Sequence, residues 1–259
     1  MIEVRKSGIL QAIPLLIAIF SLGFPACAKY GGGSGEPNDP YQIATAEDLM
    51  LLGDSPEDYD KHFIMIDDID LGPNLPGRKI FDRAVIAPDV NSIEVGFQGI
   101  TFAGVFDGNG HVISHLTITG ESYTGLFVHM GFSWDRFPTA GKISNLSIVD
   151  ANITGSGDYV GGLVGENYYG NVTNCHSTGM IRGNSGVGGL VGFNQGFASN
   201  SNSICVVNGN YEVGGLVGWH EIMGLVDRCY STGAVSGNGE VGGLVGEKWG
   251  EGYSFFLGY

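Results

Sequence analysis

The chain has 259 residues, of which 45 are glycine and only 9 proline; 43% are apolar and 15% charged. Glycine runs at more than twice its usual share of about 7%, but no Gly-X-Y period accompanies it, which excludes collagen, and the apolar content excludes a disordered polymer. The net charge of −15 argues against a nucleic-acid binder, which needs clustered Lys and Arg, and against electrostatic docking on anionic lipid.

The first 28 residues have the three parts of an export signal: Arg5 and Lys6, then an apolar stretch over 9–24, then Ala26-Cys27-Ala28. The apolar run is short for a membrane span of about 20 residues. It predicts cleavage near Ala28 and a secreted or cell-surface protein with no transmembrane span in the mature chain. An uncleaved anchor and a lipoprotein acylated at Cys27 remain as alternatives.

Residues 29–96 read as an N-terminal cap with first strands. Thr45-Ala46-Glu47-Asp48 resembles a capping box; Leu49, Met50, Leu51 and Leu52 follow, and Gly53 ends a short amphipathic helix suited to plugging the end of a solenoid. The stretch 63–66 (Phe-Ile-Met-Ile) reads as a first strand. Fourteen of the 27 acids lie between Glu36 and Glu94. Among them Asp67, Asp68 and Asp70 fit either solvated acids or a calcium site, since hard cations take several carboxylate oxygens; no EF-hand spacing follows. No other cofactor is implied. Asp107-Gly108-Asn109-Gly110 has the composition of a tight turn.

Residues 97–259 carry the main signal. Val-Gly-Gly-Leu-Val-Gly occurs at 160–165, 187–192, 213–218 and 241–246, spaced by 27, 26 and 28 residues. A worn copy, Tyr123-Thr124-Gly125-Leu126-Phe127, precedes them. The second half of the unit also repeats: Gly170 to Gly179 aligns with Gly224 to Gly233, and the degenerate middle unit puts Ser201 at the Cys position and Cys205 at the second glycine position. Short apolar runs punctuated by Gly, Asn, Ser and Thr are strand and turn signals. One unit cannot bury its own face, so units must stack. A period near 27 with about three short strands per circuit predicts an all-β, right-handed parallel β-helix. A β-propeller needs about 40–50 residues per blade, and the glycines exclude a helical repeat. The paired glycines then mark a sharp corner or a close approach of coils.

Cys175 and Cys229 hold equivalent places two coils apart, roughly 10 Å, too far for a disulfide. They are expected to be free buried thiols with Ser201 between them. Asn145, Asn174 and Asn200 also align, and read as a stack whose side chains satisfy turn backbones.

The hexapeptide with its Gly-x-x-x-Asn-Cys half resembles the GLUG-motif repeats of secreted bacterial proteins, well over 141–246 and loosely over 97–140. The stretches 102–118 and 39–49 resemble segments that precede such repeats. The resemblance implies a right-handed β-helix on an exported, often surface-associated protein, and no activity. GLUG repeats also occur in IgA-specific metallopeptidases, whose zinc chemistry sits in a separate domain. Here His220-Glu221-Ile222-Met223 meets Gly224 where a second zinc-binding His would be needed.

Two functional classes remain. The first is a non-enzymatic adhesion or binding protein for an extracellular glycan or protein, with Phe193, Trp219, Tyr168, Tyr169 and Trp249 after the hexapeptides as the candidate ligand-binding side chains; partly buried anchors are the plainer reading of the same rings. The second is a polysaccharide lyase or glycoside hydrolase. It is disfavoured because the equivalent positions Glu166, Phe193, Trp219 and Glu247 put no two acids on adjacent coils, and no catalytic residue stands out. The apolar segment 253–259 and the unfinished last coil suggest an open end capable of self-association.

Overall fold

The computed structural model describes residues 29–91, 94, 96–131 and 140–250. The export-signal stretch and the segment 253–259 lie outside the described residues. The described chain winds into a parallel β-helix whose strands stack into four walls. Wall A runs Tyr41–Ile43, His62–Met65, Val105–Asp107, Lys142–Ser144, Asn171–Thr173, Phe197–Ser199, Leu225–Asp227. Wall B contains Ser147–Gly155, His176–Arg182 and Asn202–Asn208. Wall C contains Val160–Gly161, Ser185–Gly188, Tyr211–Gly214 and Gly239–Gly242. Wall D contains Phe127–Gly131, Val164–Tyr168, Val191–Asn194, Val217–Glu221 and Val245–Trp249. Neighbouring strands in every wall pair in parallel.

A full coil therefore has four strands, not three. The hexapeptide is the reason: it is not one strand but the end of wall C, a corner, and the start of wall D. Val160, Leu163 and Val164 point inward and are fully buried. The corner is held coil to coil, Leu163 N donating to Leu190 O at 2.9 Å and Leu190 N to Leu216 O at 2.9 Å. The first glycine of the pair meets wall D of its own coil and of the next: a Cβ on Gly188 would lie 1.9 Å from Val191 O and 2.7 Å from Gly218 N. The second meets the next corner: a Cβ on Gly189 would lie 2.3 Å from Gly215 O and 2.1 Å from Ser203 Oγ. Walls C and D thus fold back on each other along a seam of glycine backbone that no side chain could enter.

The interior follows the expected register. Cys175 and Cys229 are free and buried, as is Cys205. Ser201 lies between the first two, its Oγ accepting from Cys175 N at 3.0 Å while its own N–H donates to Cys229 Sγ at 3.4 Å. Burial pushes the Cys175 thiol up to about 12, so it stays protonated. A second buried ladder, Asn167, Asn194 and His220, runs inside wall D, with Asn167 Nδ2 donating to Asn194 Oδ1 at 2.7 Å.

At the N-terminal end the helix Ala46–Gly53 has its capping box, Thr45 Oγ1 accepting from Asp48 N at 3.1 Å and the Asp48 carboxylate from Thr45 N at 3.0 Å. It buries Ala46, Leu49 and Leu52 in the common core. Tyr41–Ile43 pairs with His62–Met65, so the strand at Phe63 is the second of wall A and not the first in the chain. At the other end Val241 is 46% exposed where its counterpart Val213 is buried; the last described coil is open.

Candidate functional site

The glycine seam decides what lies on its outer side. One residue per coil at the entry to wall C sits in the left-handed region: Tyr123, Tyr159, Gly186, Glu212 and Glu240, with φ of 54°, 59°, 60°, 53° and 50°. The outward row of wall D reads His129, Glu166, Phe193, Trp219, Glu247 in register. Because the walls are pressed together, the tyrosine rings reach this row. Tyr159 lies 5.3 Å from Tyr123, 5.3 Å from Phe193 and 6.0 Å from Trp219, and Phe193 meets Trp219 edge-on at 5.4 Å. Phe97 stacks on the His129 imidazole at 4.5 Å and touches Tyr123 at 6.4 Å. Tyr168 covers the other side of His129 at 5.9 Å, with Tyr169 against it at 4.7 Å. The result is a continuous aromatic band along the solenoid axis.

Inside this band His129 Nε2 and Glu166 Oε2 are 3.9 Å apart. Their distance would suit an ion pair, but their surroundings do not. Burial lowers the His129 imidazole to about 4 and raises the Glu166 carboxyl to about 7, with Glu221 adding to the upward push. Desolvation by the rings disfavours both charges, so near neutral pH the pair is a neutral imidazole beside a carboxyl that is half protonated. Thr101 Oγ1 lies 3.0 Å from His129 Nδ1. The Trp219 indole N–H is buried without a hydrogen-bond partner.

Of the five aromatic candidates, Phe193 and Trp219 meet in this band and Tyr168 joins it through His129. Phe193 is only 8% exposed and is an anchor; Trp219, Tyr168 and Tyr169 are half-buried. Trp249 is 61% exposed and pairs with Glu221 on the outermost strand. Tyr123, Tyr159, Phe97 and His129 complete the band and escaped the sequence reading, although a tyrosine stands immediately before both the worn and the first full hexapeptide. The acids also differ from expectation. No two neighbour each other along the row, but the Glu247 carboxyl is held up by desolvation and by the Glu212 carboxylate across the seam, which accepts from its protonated form, with Glu240 nearby. An acid pair therefore forms between walls and not within one.

Asp67, Asp68 and Asp70 do not converge. Asp67 Oδ1 accepts from Asp68 N at 2.8 Å, Asp68 Oδ1 from Val112 N at 2.9 Å beside His111 Nδ1 at 3.0 Å, and Asp70 Oδ1 from Gly72 N at 2.8 Å beside His115 Nδ1 at 2.8 Å. Among the described residues no three His, Cys, Asp or Glu side chains gather closely enough to hold a metal ion, and no helix is long and apolar enough to cross a membrane.

Comparison with known proteins places the GLUG motif at residues 156–181 and 209–236. Over 165 residues the chain is 32% identical to halomucin of Haloquadratum walsbyi, covering 62% of this chain and 2% of that protein. Over 164 residues it is 35% identical to a protein of Evansella cellulosilytica described as a candidate Gly-rich membrane protein, covering 60% of this chain and 16% of that one. The chain thus spans a small part of either relative. Among solved structures it is similar to a candidate immunoglobulin A1 protease from Bacteroides ovatus, with a TM-score of 0.62 and 22% identity over 85% of this chain and 65% of the other. That likeness is one of fold.

Proposed function

We propose that this chain, a parallel β-helix carrying GLUG motifs, is an exported, non-enzymatic binding protein of the cell surface, and that the aromatic band on wall D is where it takes an extracellular glycan. The single observation that carries the reading is the cluster of half-exposed rings, Tyr123 and Tyr159 on successive coils with Trp219 against Tyr159, beside the carboxyls of Glu166 and Glu212. Flat rings stack on the apolar faces of sugars, and carboxyls accept from sugar hydroxyls. Export is supported by the N-terminal 28 residues and by the description of the Evansella relative as a membrane protein.

The test is a glycan array probed with the purified protein, followed by calorimetric titration of each hit. Trp219→Ala and Tyr159→Ala should each weaken binding by about tenfold or more, the scale of one lost ring contact. A folded protein that binds no glycan, or variants that bind as the wild type does, would sink the proposal. The hydrolase reading keeps one supporting observation, the Glu212–Glu247 pair. Release of reducing sugar that disappears in Glu247→Gln would favour it.

A further inference from the structure

A second groove lies on another corner of the solenoid, where wall A turns into wall B. We propose that it is a binding site for a neutral linear glycan lying parallel to the solenoid axis, independent of the aromatic band. Two polar rows line it, each contributing one side chain per coil: Asn145, Asn174 and Asn200 at the corner, and Ser147, His176 and Asn202 on the first outward position of wall B. The groove has a volume of about 490 Å3.

The corner row has a conformational explanation in part. Asn145, Asn174 and Asn200 have φ of 54°, 58° and 49°, a region that asparagine tolerates. Their amides, however, do not serve the turn backbones. Asn174 Nδ2 donates to Asn145 Oδ1 at 2.7 Å, and Asn145 Nδ2 to Asp107 Oδ1 at 2.9 Å. That chain of amides leaves the Asn174 carbonyl and the Asn200 side chain on the groove with no hydrogen-bond partner among the described residues.

The strand row has no such explanation. Asparagine and serine are poor strand residues, and a half-exposed strand position favours β-branched or aromatic side chains. Yet Ser147, His176 and Asn202 occupy one register position on three successive coils. His176 Nδ1 pairs with Asn202 Oδ1, which leaves the Asn202 amide N–H groups and the other imidazole nitrogen on the groove side. The lining side chains are amides, one hydroxyl, one imidazole and the Cys175 thiol, with no carboxylate and no Lys or Arg among them.

That chemistry selects the ligand. Amides and hydroxyls both donate and accept, as sugar hydroxyls do, and a site without fixed charge has nothing to offset the cost of desolvating an ionic ligand. A protein of net charge −15 also repels acidic polysaccharide. The rows repeat every coil, about 4.8 Å, and an extended sugar chain advances by a similar distance per ring, so successive rings would meet successive coils.

The experiment is calorimetric titration of the full-length protein with cellohexaose and mannohexaose, and with a hexagalacturonate as the acidic comparison. It is repeated on Asn174→Gly and Asn202→Val. Both variants suit the local backbone, glycine at positive φ and valine in a strand, and equal melting temperatures confirm that they fold. The expected result is binding of a neutral hexasaccharide that weakens about tenfold in each variant, the scale of one lost hydrogen bond to a ligand, and that survives Trp219→Ala. Absence of neutral binding by folded wild type, tighter binding of the hexagalacturonate, or unchanged affinity in both asparagine variants would overturn the site. Loss confined to Trp219→Ala would also overturn it while supporting the aromatic band.

Discussion

The two halves of the solenoid share walls A and B and fill them differently. On wall A the inward position reads Phe63, Phe106, Ile143, Val172, Ala198, Val226 from coil to coil. On wall B it reads Ile69, Ile113, Ile148, Ser177, Ser203, Ser231. The N-terminal coils are filled by large rings, and Phe63, Phe102, Phe106 and Phe127 pack together in contacts of 5.1–6.4 Å. The repeat coils are pinched by the glycine corner, and serine takes the place of isoleucine where the corner presses in, Ser177 Oγ donating to Gly189 O at 2.8 Å. The lesson is that the hexapeptide does not create the β-helix. It builds the corner between walls C and D, while the N-terminal coils stack on walls A and B around a filling of rings.

The comparison can be broken most sharply at the seam. Gly189→Ala places a methyl 2.3 Å from backbone of the next coil, whereas Gly243, at the same motif position in the last copy, has nothing within 4 Å. Denaturant melts should show Gly189→Ala losing about 3 kcal/mol or more, and Gly243→Ala within about 0.5 kcal/mol of wild type. Equal effects would mean that the seam is not what holds the repeats. Filling is tested next. Phe106→Ala should cost about 3–5 kcal/mol, and Val172→Ala, two coils on, about 2 kcal/mol.

At the junction of the two halves, His129 and Glu166 make opposite contributions to pH dependence. The folded Glu166 carboxyl is raised from 4.5 to about 7, so the stability it confers is complete at acid pH and is lost as pH rises through that range. The folded His129 imidazole is lowered from 6.5 to about 4, so its contribution is complete above neutrality and is lost as pH falls through that window. In the wild type the two slopes largely cancel between pH 4.5 and 6.5. Glu166→Gln should therefore melt more steeply on acidification and gain stability at pH 8, and His129→Gln should do the reverse. Thermal melts across pH 4–8 decide it; parallel profiles for all three proteins would disprove the neutral pairing. Inside the repeats, Ser201→Ala removes bonds to Cys175 N and Ser199 O and should cost about 1 kcal/mol each. Reductant should leave the melting temperature unchanged, because the described cysteines are free.

Most of the architecture was legible because identical coils reveal their own register. The Cys175–Ser201–Cys229 ladder, the pairing of Phe193 with Trp219 and the capping box at Thr45 all follow from alignment of the repeat and from local capping rules. The fourth wall was hidden, because Val-Gly-Gly-Leu-Val-Gly looks like a single weak strand until the corner at its centre is seen. His129 was hidden for a related reason: it follows the worn copy, whose altered spelling conceals that it lies beside Glu166. The contact of Glu247 with Glu212 escaped because it crosses from one wall to another, and repeat alignment reports only neighbours along a wall. The separate partners of Asp67, Asp68 and Asp70, the N–H groups of Asp68, Val112 and Gly72, were hidden because Val112 comes beside Asp68 only through the coil.

The contrast between the ring-filled first coils and the repeat coils bears on how such a chain matures. Synthesis delivers the helix Ala46–Gly53 and the ring-filled coils first. They form a finished edge of unpaired N–H and C=O groups before any hexapeptide emerges. Each later coil contacts only its predecessor and can be laid down as a copy against that template, one circuit at a time. The aromatic end is then the primer for a polymerisation carried out by a single molecule on itself.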